Sequence, residues 1–383
     1  MLRLLVITLA FSLVIAAGCG SDEDSDPTAT AGVTSQPTVA ETAPPGETPP
    51  QAQVPNVAPS ADITLPDGFA AYPIATGFLR ATSVAPAPDG SILVSERQGS
   101  VFRLVDAGGD GVFEQTEEFA SGFGAITGLL IEADSTVYVS STGKITRLFD
   151  TDEHDDIITG LPNNRHQNNG MAIGPDGKLY ITNGSTCDDC LEPNERSATI
   201  LQSNLDGSEL RVYARGLRNP YDITFDSQGR LWSTDNGSDA PCATIDELNL
   251  IVDGGDYGWP YGNEGCDPQT DGTPPVVSLG LHTASTGITY YDGSAFPAQY
   301  RGSLFATVWG SLGAFGAPDP YDRLLLRVSA ENDTGIVEEF GSGFEHPIDV
   351  FADADGSLLV LDYGSDDPDE RNGTLYRVIY TEP

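Results

Sequence analysis

The chain of 383 residues carries 57 Asp and Glu side chains against 18 Lys and Arg, which gives a formal net charge of −39. So large an acidic excess repels phosphate backbones and excludes nucleic acid as a natural partner, while it supplies many carboxylates for Ca²⁺. The length leaves room for one large β domain or two ordinary domains.

The N-terminal residues have the features of an export signal. Arg3 provides a positive charge, and an apolar run over residues 4–17 leads directly to Gly18 and Cys19. The run is short for a membrane span and ends in small residues, which indicates a signal peptide over residues 1–18. These small residues resemble a bacterial lipobox, so we expect Cys19 to be lipidated and to anchor an exported protein to a membrane, on the cell surface or in the periplasm. The alternative is an ordinary secretory signal followed by a spare cysteine.

A polar segment follows the signal. Residues 19–61 consist largely of Ser, Asp, Thr, Pro, Glu, Ala and Gln, with almost no large apolar side chains. Such a segment cannot bury enough apolar surface to offset the entropy lost on ordering it. We therefore predict a disordered tether over residues 19–61.

From about residue 62 onward, one pattern recurs. A turn containing Asp or Gly precedes a short alternating strand, and a second short strand often follows; Pro-Asp-Gly favours such a turn because proline presets φ and glycine accepts positive φ. The units are PDGSILVSERQGSVFRL, ADSTVYVSSTGKITRL, PDGKLYITNGS, SQGRLWSTDNG, RGSLFATVWGS and ADGSLLVLDYG. Repeats of this kind are typical of propeller blades, so we predict an all-β, six-bladed β-propeller over residues 62–383. A two-sheet sandwich would have a similar number of strands but not the repeated unit.

Four cysteines follow Cys19. Exported cysteines usually pair. We therefore predict two disulfides, Cys187–Cys190 and Cys242–Cys266, each closing a local loop. A zinc site at the first pair is the alternative, although no nearby second pair or histidine completes it.

The stretch over residues 163–190 joins a polar loop to a β-hairpin. His166 lies on the loop that enters the hairpin, and it is one of four histidines in the chain. An imidazole changes charge near neutral pH and is the commonest general base. The alternative interpretation is a hydrogen-bonded loop residue without a catalytic role.

Two further stretches contain candidate site residues. In GLRNPYDITF, Arg218 and Asn219 precede the proline of a predicted inner strand, where an arginine can polarise a carbonyl or hold a carboxylate. Over residues 233–262, Asp235 and the pair Asp246-Glu247 lie among glycines, and mixed carboxylate and backbone oxygens are typical of Ca²⁺ sites. The alternatives are an arginine paired with one of many carboxylates and a solvated acidic loop.

Together these stretches resemble the soluble pyrroloquinoline quinone (PQQ)-dependent sugar dehydrogenases, in particular the sorbosone dehydrogenase-like and pyranose dehydrogenase-like proteins. The resemblance covers nearly all of residues 62–380. It is carried by RHQNNGMAIGPDGKLYITNGS, GLRNPYDITF, STDNG…DELN…GGDYGWP and FPAQYRGSLF, in the order expected. It implies a six-bladed propeller with PQQ over the central channel beside a Ca²⁺ ion.

The resemblance also implies roles for single residues. The histidine of the first motif makes His166 the general base, which takes the proton from the sugar hydroxyl while hydride passes to the quinone. The second motif places Arg218 and Asn219 at the cofactor, with Arg218 in the catalytic group. The backbone carbonyls of Gly237 and Ser238 match those that hold the cofactor Ca²⁺.

A second, structural Ca²⁺ is implied at Glu247 of the DELN motif and at the carbonyl of Tyr257. The sequence departs from its relatives in the basic residues around PQQ. The fifth-blade loop lacks the arginine expected after its tryptophan, which leaves Arg323 as the remaining basic partner, and His346 stands where relatives commonly have arginine. Each lost charge-assisted bond would weaken PQQ binding about ten-fold or more.

Two main hypotheses about function follow. The first is a PQQ- and Ca²⁺-dependent dehydrogenase that oxidises an aldose or related sugar aldehyde; it would need a separate electron acceptor, because no haem-attachment pattern follows Cys190. The second is a non-catalytic, Ca²⁺-stabilised surface propeller that binds carbohydrate or protein. A metal-dependent lactonase-type hydrolase is a third possibility, which would need converging Asp, Glu and Asn ligands at the channel centre.

Overall fold

The computed structural model of the chain describes residues 52–150, 153–188, 190–238, 245–260, 272–310, 322–331 and 334–381. In these residues, twenty-four strands form six four-stranded antiparallel sheets, and the predicted six-bladed β-propeller is confirmed. The described residues include one short 3-10 helix, Ala298–Tyr300, and no helix among them is long and apolar enough to cross a membrane. Cys19, Cys242 and Cys266 lie outside the described residues.

The blades follow one another along the chain. Blade 1 consists of β2 (Ala81–Pro86), β3 (Ile92–Glu96), β4 (Ser100–Val105) and β5 (Gln115–Ser121). Blade 2 consists of β6 (Ile126–Ile131), β7 (Val137–Ser141), β8 (Lys144–Asp150) and β9 (Glu153–Thr159). Blade 3 consists of β10 (Asn168–Ile173), β11 (Leu179–Asn183), β12 (Thr199–Ser203) and β13 (Arg211–Arg215).

The remaining blades include the closure of the ring. Blade 4 consists of β14 (Pro220–Phe225), β15 (Leu231–Asp235), β16 (Ile245–Ile251) and β17 (Val277–Leu281). Blade 5 consists of β18 (Ser285–Tyr291), β19 (Ser303–Val308), β20 (Leu324–Glu331) and β21 (Thr334–Gly341). Blade 6 consists of β22 (Pro347–Ala352), β23 (Leu358–Asp362), β24 (Gly373–Tyr380) and, from the start of the chain, β1 (Phe69–Phe78).

The burial of each strand follows from its place in the blade. The second strands β3, β7, β11, β15, β19 and β23 are buried at every residue, because neighbouring blades cover both faces. Outer strands such as β5 and β21 expose several glutamates. Charges on such edge strands oppose pairing with another chain. The core therefore lies between the blades, in contiguous clusters of aliphatic and aromatic side chains.

The inner strands β2, β6, β10, β14, β18 and β22 surround a central channel with a cavity of about 550 Å³. Each inner strand has a β-bulge in its pairing with the second strand of its blade. The third residues of these strands, in blade order, are Ser83, Gly128, Gly170, Asp222, Gly287 and Asp349. We call them the third-position ring.

Polar side chains of the third-position ring bond to the next blade. Asp349 Oδ2 accepts a hydrogen bond from the Val84 backbone N–H at 2.8 Å, and Ser83 Oγ accepts one from the Leu129 N–H at 3.1 Å. Asp222 Oδ2 accepts one from the Ile288 N–H at 3.1 Å. These bonds give partners to backbone N–H groups on the inner strands, which have a neighbouring strand on one side only.

The last part of the predicted tether differs from expectation. Pro55 is buried, the Asn56 N–H donates to the Asp110 carbonyl at 2.9 Å, and the Ser60 N–H donates to the Ala71 carbonyl at 2.8 Å. Ala52 packs against the core between blades 6 and 1. Residues 52–61 therefore belong with the propeller, because they bury small apolar side chains and satisfy their backbone groups on it.

Candidate active site

His166 lies at the mouth of the channel, on the loop between β9 and β10. Its backbone N–H donates to the Ser185 carbonyl at 3.0 Å, and its Nδ1 lies 2.9 Å from Ser185 Oγ. A Cβ at Gly184 would lie 2.5 Å from the His166 Cβ and 2.5 Å from Asn219 Oδ1, so only glycine lets these two side chains approach. The loop after β11 thus fixes the position of the imidazole.

The electrostatic surroundings keep the imidazole uncharged. Burial is the largest effect and, with the positive charges of Arg218 and Arg165, lowers the pKa of His166 to about 3, against smaller opposing effects of a hydrogen bond to Ser185 and the charge of Asp188. His166 is therefore neutral at pH 7, and a neutral imidazole can accept a proton.

Arg218 is buried just before β14, and its guanidinium is held on several sides. Nη2 lies 2.5 Å from Asp188 Oδ1, Nε lies 3.3 Å from the Asp188 carbonyl, and Nη1 lies 3.2 Å from the Asn236 carbonyl. Burial lowers the pKa of Arg218, whereas the bond and charge of Asp188 raise it. Because arginine keeps its proton in proteins, the structure places a fixed positive charge beside His166.

Asn219 belongs to a chain of carboxamides around the mouth. Asn169 Nδ2 donates to Asn219 Oδ1 at 3.0 Å, and Asn219 Nδ2 donates to Asn236 Oδ1 at 3.0 Å. Asn236 Nδ2 in turn donates to the Ser285 carbonyl at 2.5 Å. The chain links blades 3, 4 and 5, so the orientation of each amide is fixed by its neighbours.

Asp235, at the end of β15, fixes the backbone of this site. Its two carboxylate oxygens accept the Arg218 N–H at 3.0 Å and the Asn219 N–H at 2.7 Å. Glu247 lies opposite it on β16, and burial, followed by the charge of Glu247, raises the pKa of Asp235. Two buried carboxylates therefore face each other below the arginine and asparagine.

A cavity of about 280 Å³ opens at this mouth. Its lining includes His166 and Asn219, together with Arg97 from the end of blade 1 and Arg165 from the His166 loop. The sequence analysis missed Arg97 and Arg165. Arg165 directly precedes His166 in the RHQNNG stretch but was not singled out, whereas Arg97 reaches the cavity from a loop of blade 1 and has no signal in the sequence.

The residues expected at the two Ca²⁺ sites occupy separate positions in blade 4. The Gly237 N–H donates to Asp246 Oδ1 at 3.0 Å, and Ser238 is buried beside it, close to the Asn236 carbonyl that binds Arg218. Tyr257 is buried, and its hydroxyl donates to the Leu250 carbonyl at 2.7 Å.

The two basic positions of blades 5 and 6 differ in exposure. Arg323 is exposed, with φ of 60°, just before β20. His346 stacks on Trp309 with ring centroids 3.9 Å apart and an interplanar angle of 13°, and its Nδ1 lies 3.0 Å from the Trp309 carbonyl. Since a carbonyl only accepts, Nδ1 of His346 carries a proton and the ring holds Trp309 at the mouth.

The predicted Cys187–Cys190 disulfide is present. Within the described residues, the sulfurs of Cys187 and Cys190 and a carboxylate oxygen of Glu192 form a group whose spacing would suit a metal ion. The two sulfurs are bonded to each other and are therefore not free to bind a metal. The disulfide is therefore found in place of the zinc alternative. Its loop carries Asp188, the partner of Arg218.

The sequence profile of the family described as Glucose / Sorbosone dehydrogenase matches residues 79–377. The chain belongs to this family. A glucose/sorbosone dehydrogenase-family relative, "Quinoprotein glucose dehydrogenase B" of Acinetobacter calcoaceticus, is 33% identical over 138 residues, which cover 27% of this chain and 28% of that protein. An uncharacterized protein of Borreliella burgdorferi is 28% identical over 287 residues, covering 64% of this chain and 74% of that protein.

Solved structures share the fold of this glucose/sorbosone dehydrogenase-family member. The PQQ-bound form of the aldose sugar dehydrogenase of Streptomyces coelicolor has a TM-score of 0.64 at 23% identity, covering 84% of this chain and 99% of that chain. The holo form of the pyranose dehydrogenase PQQ domain of Coprinopsis cinerea has a TM-score of 0.66 at 16% identity, covering 86% of this chain and 99% of that chain.

Proposed function

We propose that the protein oxidises an aldose, or a related sugar aldehyde or hemiacetal, by hydride transfer to PQQ, with His166 as the general base. The observation that carries the proposal is the neutral imidazole of His166 at the mouth cavity, beside Arg218 and Asn219. Membership of the glucose/sorbosone dehydrogenase family supports the redox class, and the PQQ-bound neighbours support the cofactor.

The donor set at the mouth fits an anionic quinone. Arg97 and Arg165 line the cavity together with Gln167, Asn169 and Asn219. Hydrogen bonds from a guanidinium to a carboxylate are among the strongest in proteins. These arginines would supply the cationic partners that blades 5 and 6 lack, with Arg323 as a further candidate from blade 5.

Ca²⁺ is the second proposed cofactor. The carbonyls of Gly237 and Ser238 would hold an ion at the cofactor, and Glu247 with the carbonyl of Tyr257 would hold a structural ion. Asp235 is consistent with a cation in this region, because it and Glu247 are buried carboxylates on adjacent strands and a nearby Ca²⁺ would add to the compensation that Arg218 already gives.

The residues of this chain would then act in a defined way. When bound, PQQ supplies the oxidant that takes up the substrate hydride. His166 accepts the proton of the sugar hydroxyl, and its low pKa keeps it unprotonated at neutral pH. Arg218 presents a positive charge held by Asp188, which stabilises negative charge that develops during the reaction.

The proposal includes the surroundings of the enzyme. Electrons would pass to a separate acceptor, because the sequence lacks a Cys-x-x-Cys-His pattern. A signal peptide over residues 1–18 and a lipid anchor at Cys19 would hold the propeller on the cell surface or in the periplasm. These features are proposals from the sequence.

The test compares two histidine variants of the protein loaded with PQQ and Ca²⁺. We expect His166→Gln to lower kcat for aldose-dependent dye reduction about 10²- to 10⁴-fold, the usual contribution of a general base, without loss of PQQ binding by calorimetry. His154→Gln is the matched control, because His154 is exposed on β9 of blade 2. Full activity of His166→Gln would rule out His166 as the general base. Failure of the unaltered protein to bind PQQ at high micromolar concentration would rule out PQQ as the cofactor.

A further inference from the structure

We propose that Ser185 is a positioning residue that, together with the carbonyl of Cys187, holds His166 in the tautomer that leaves Nε2 free to accept a proton. The inference deepens the proposed function and rests on it for its catalytic consequence. The contacts themselves are independent of any substrate or cofactor.

The assignment follows from counting protons. Ser185 is fully buried, and its hydroxyl has a single proton. Its Oγ lies 2.8 Å from the carbonyl of Cys187, which can only accept, so the hydroxyl proton lies in that bond. Nδ1 of His166 lies 2.9 Å from the same Oγ and must therefore be the donor. In a neutral imidazole with Nδ1 protonated, Nε2 carries the lone pair.

Backbone bonds fix the hydroxyl. The Ser185 N–H donates to the Arg218 carbonyl at 2.7 Å, and the Ser185 carbonyl accepts the His166 N–H at 3.0 Å. The two residues are thus held in register by the main chain. Rotation of the imidazole away from Oγ would leave a buried hydroxyl without its second partner, which is unfavourable.

The disulfide loop fixes the carbonyl of Cys187. The bond to Cys190 closes the loop, and Glu192 Oε1 accepts the Thr186 N–H at 2.8 Å. Asp188, between the two cysteines, bonds to Arg218. One short loop therefore contacts both Arg218, through Asp188, and the Ser185 hydroxyl that bonds to His166, through the carbonyl of Cys187.

Burial and the charges of Arg218 and Arg165 lower the pKa of His166, and the hydrogen bond of Ser185 opposes this only in part. The charged groups that face the imidazole are Arg165 on its own loop, Arg218 before β14 and Asp188 on the disulfide loop. Ser185 contributes no negative charge. A carboxylate at the same position would favour the imidazolium and raise its pKa.

The first experiment uses ¹⁵N-histidine NMR on the full protein without cofactor. Four histidines give few signals, and the His166→Gln spectrum identifies those of His166. We expect protonated Nδ1 in the unaltered protein, loss of that preference in Ser185→Ala, and its retention in Ser185→Thr. Protonated Nε2 in the unaltered protein, or the same tautomer in Ser185→Ala, would overturn the proposal.

Two further variants test the proposal in case Ser185→Ala does not fold. Ser185→Asp should raise the pKa of His166 by at least about one unit in the NMR titration. Cys187→Ser/Cys190→Ser should weaken the Nδ1–H preference, because it frees the Cys187 carbonyl. An unchanged pKa in the first variant, if it folds, or an unchanged tautomer in the second would contradict the proposal.

The catalytic consequence is measured separately. Ser185→Ala should lower kcat about ten-fold, the effect of one lost hydrogen bond, with KM nearly unchanged and with recovery in Ser185→Thr. If the protein does not oxidise sugar but His166 has the Nδ1–H tautomer, the proposed function is wrong and the positioning of His166 by Ser185 is still supported. Equal kcat in Ser185→Ala and the unaltered protein would remove the catalytic role of Ser185.

Discussion

At the scale of single residues, the site combines a neutral base with fixed positive charges. Arg218 and Arg165 both lower the pKa of His166, and burial acts in the same direction. The same charges that would attract an anionic cofactor therefore keep the base unprotonated. Asp188 limits this effect, because it pairs with Arg218.

The low pKa of His166 has a consequence for stability against pH. The folded-state pKa of about 3 lies below the ordinary value near 6.5, so between these values the unfolded chain binds a proton that the folded chain does not. Stability is therefore lost as the pH falls below 6.5. Relative to His166→Gln, the free energy of unfolding of the unaltered protein should fall by about 2 kcal/mol from pH 7.5 to pH 5.

Urea unfolding of the cofactor-free protein at both pH values measures this difference. His154→Gln again serves as the control and should follow the unaltered protein. If the difference between the unaltered protein and His166→Gln is the same at pH 7.5 and pH 5, His166 is not held neutral by the fold.

The sequence predicted the site residues only in part, and the reason is geometric. His166, Arg218 and Asn219 stand out because they lie in motifs, and the structure brings them together at one mouth. Ser185 ends the motif that contains His166 and Asp188 follows it, but neither was assigned a role, since small polar residues are common in loops. Their contacts depend on how the loop after β11 lies beside the segment before β14, which no local pattern specifies.

At the scale of strands, the third-position ring pairs glycine with aspartate. A Cβ at Gly287 would lie 2.6 Å from the Cα and Oδ1 of Asp349, and a Cβ at Gly170 would lie 2.0 Å from Asp222 Oδ1. Each aspartate thus occupies space left by the glycine of the preceding blade. Burial raises the pKa of Asp349 to about 6, while bonds from Val84 and Ser83 oppose the rise.

Replacing one of these glycines should destabilise the propeller. Gly287→Ala places a methyl group against the backbone of Asp349, and overpacking of this kind costs about 1–3 kcal/mol in unfolding free energy. Gly108→Ala is the control, because its nearest neighbour would be the flexible end of Glu114 at 3.3 Å. Chemical denaturation measures both, and equal stability of the two variants would contradict the packing argument.

The strand pattern was the most predictable part of the molecule. Asp- and Gly-containing turns followed by alternating apolar residues identified second strands such as β3, β11 and β23. The inner strands were harder to interpret. Their bulges interrupt the alternation of apolar and polar residues. The residue type at their third position depends on contacts with another blade.

At the scale of the whole molecule, the ring is closed by pairing of the two ends of the described chain. β1 pairs with β24 from Phe69 opposite Tyr380 to Phe78 opposite Gly373. The buried side chains of Ile74 and Phe78 pack into the core between blades 6 and 1. Blade 6 is thus complete only when residues from the start and end of the sequence meet.

Removal of β1 should therefore abolish cooperative folding. A chain that begins at residue 79 would expose the edge of β24 and an unfilled core, whereas a chain that begins at residue 52 keeps every described strand. We expect the longer chain to melt within about 2 °C of the full protein and the shorter chain to show no cooperative transition by circular dichroism. A cooperative transition in the shorter chain would show that closure is dispensable.

The three hydrogen bonds that join a side chain of the third-position ring to a backbone N–H of another blade run the same way around the channel. Asp349 reaches from blade 6 to blade 1, Ser83 from blade 1 to blade 2, and Asp222 from blade 4 to blade 5. In each of these three bonds the acceptor side chain belongs to one blade and the backbone N–H to the next, which gives the ring a direction around the axis. The Ser83 hydroxyl also donates to Asp349 Oδ2 at 3.0 Å, so this one small side chain ties blade 1 to both of its neighbours, and its loss would weaken two blade boundaries at once.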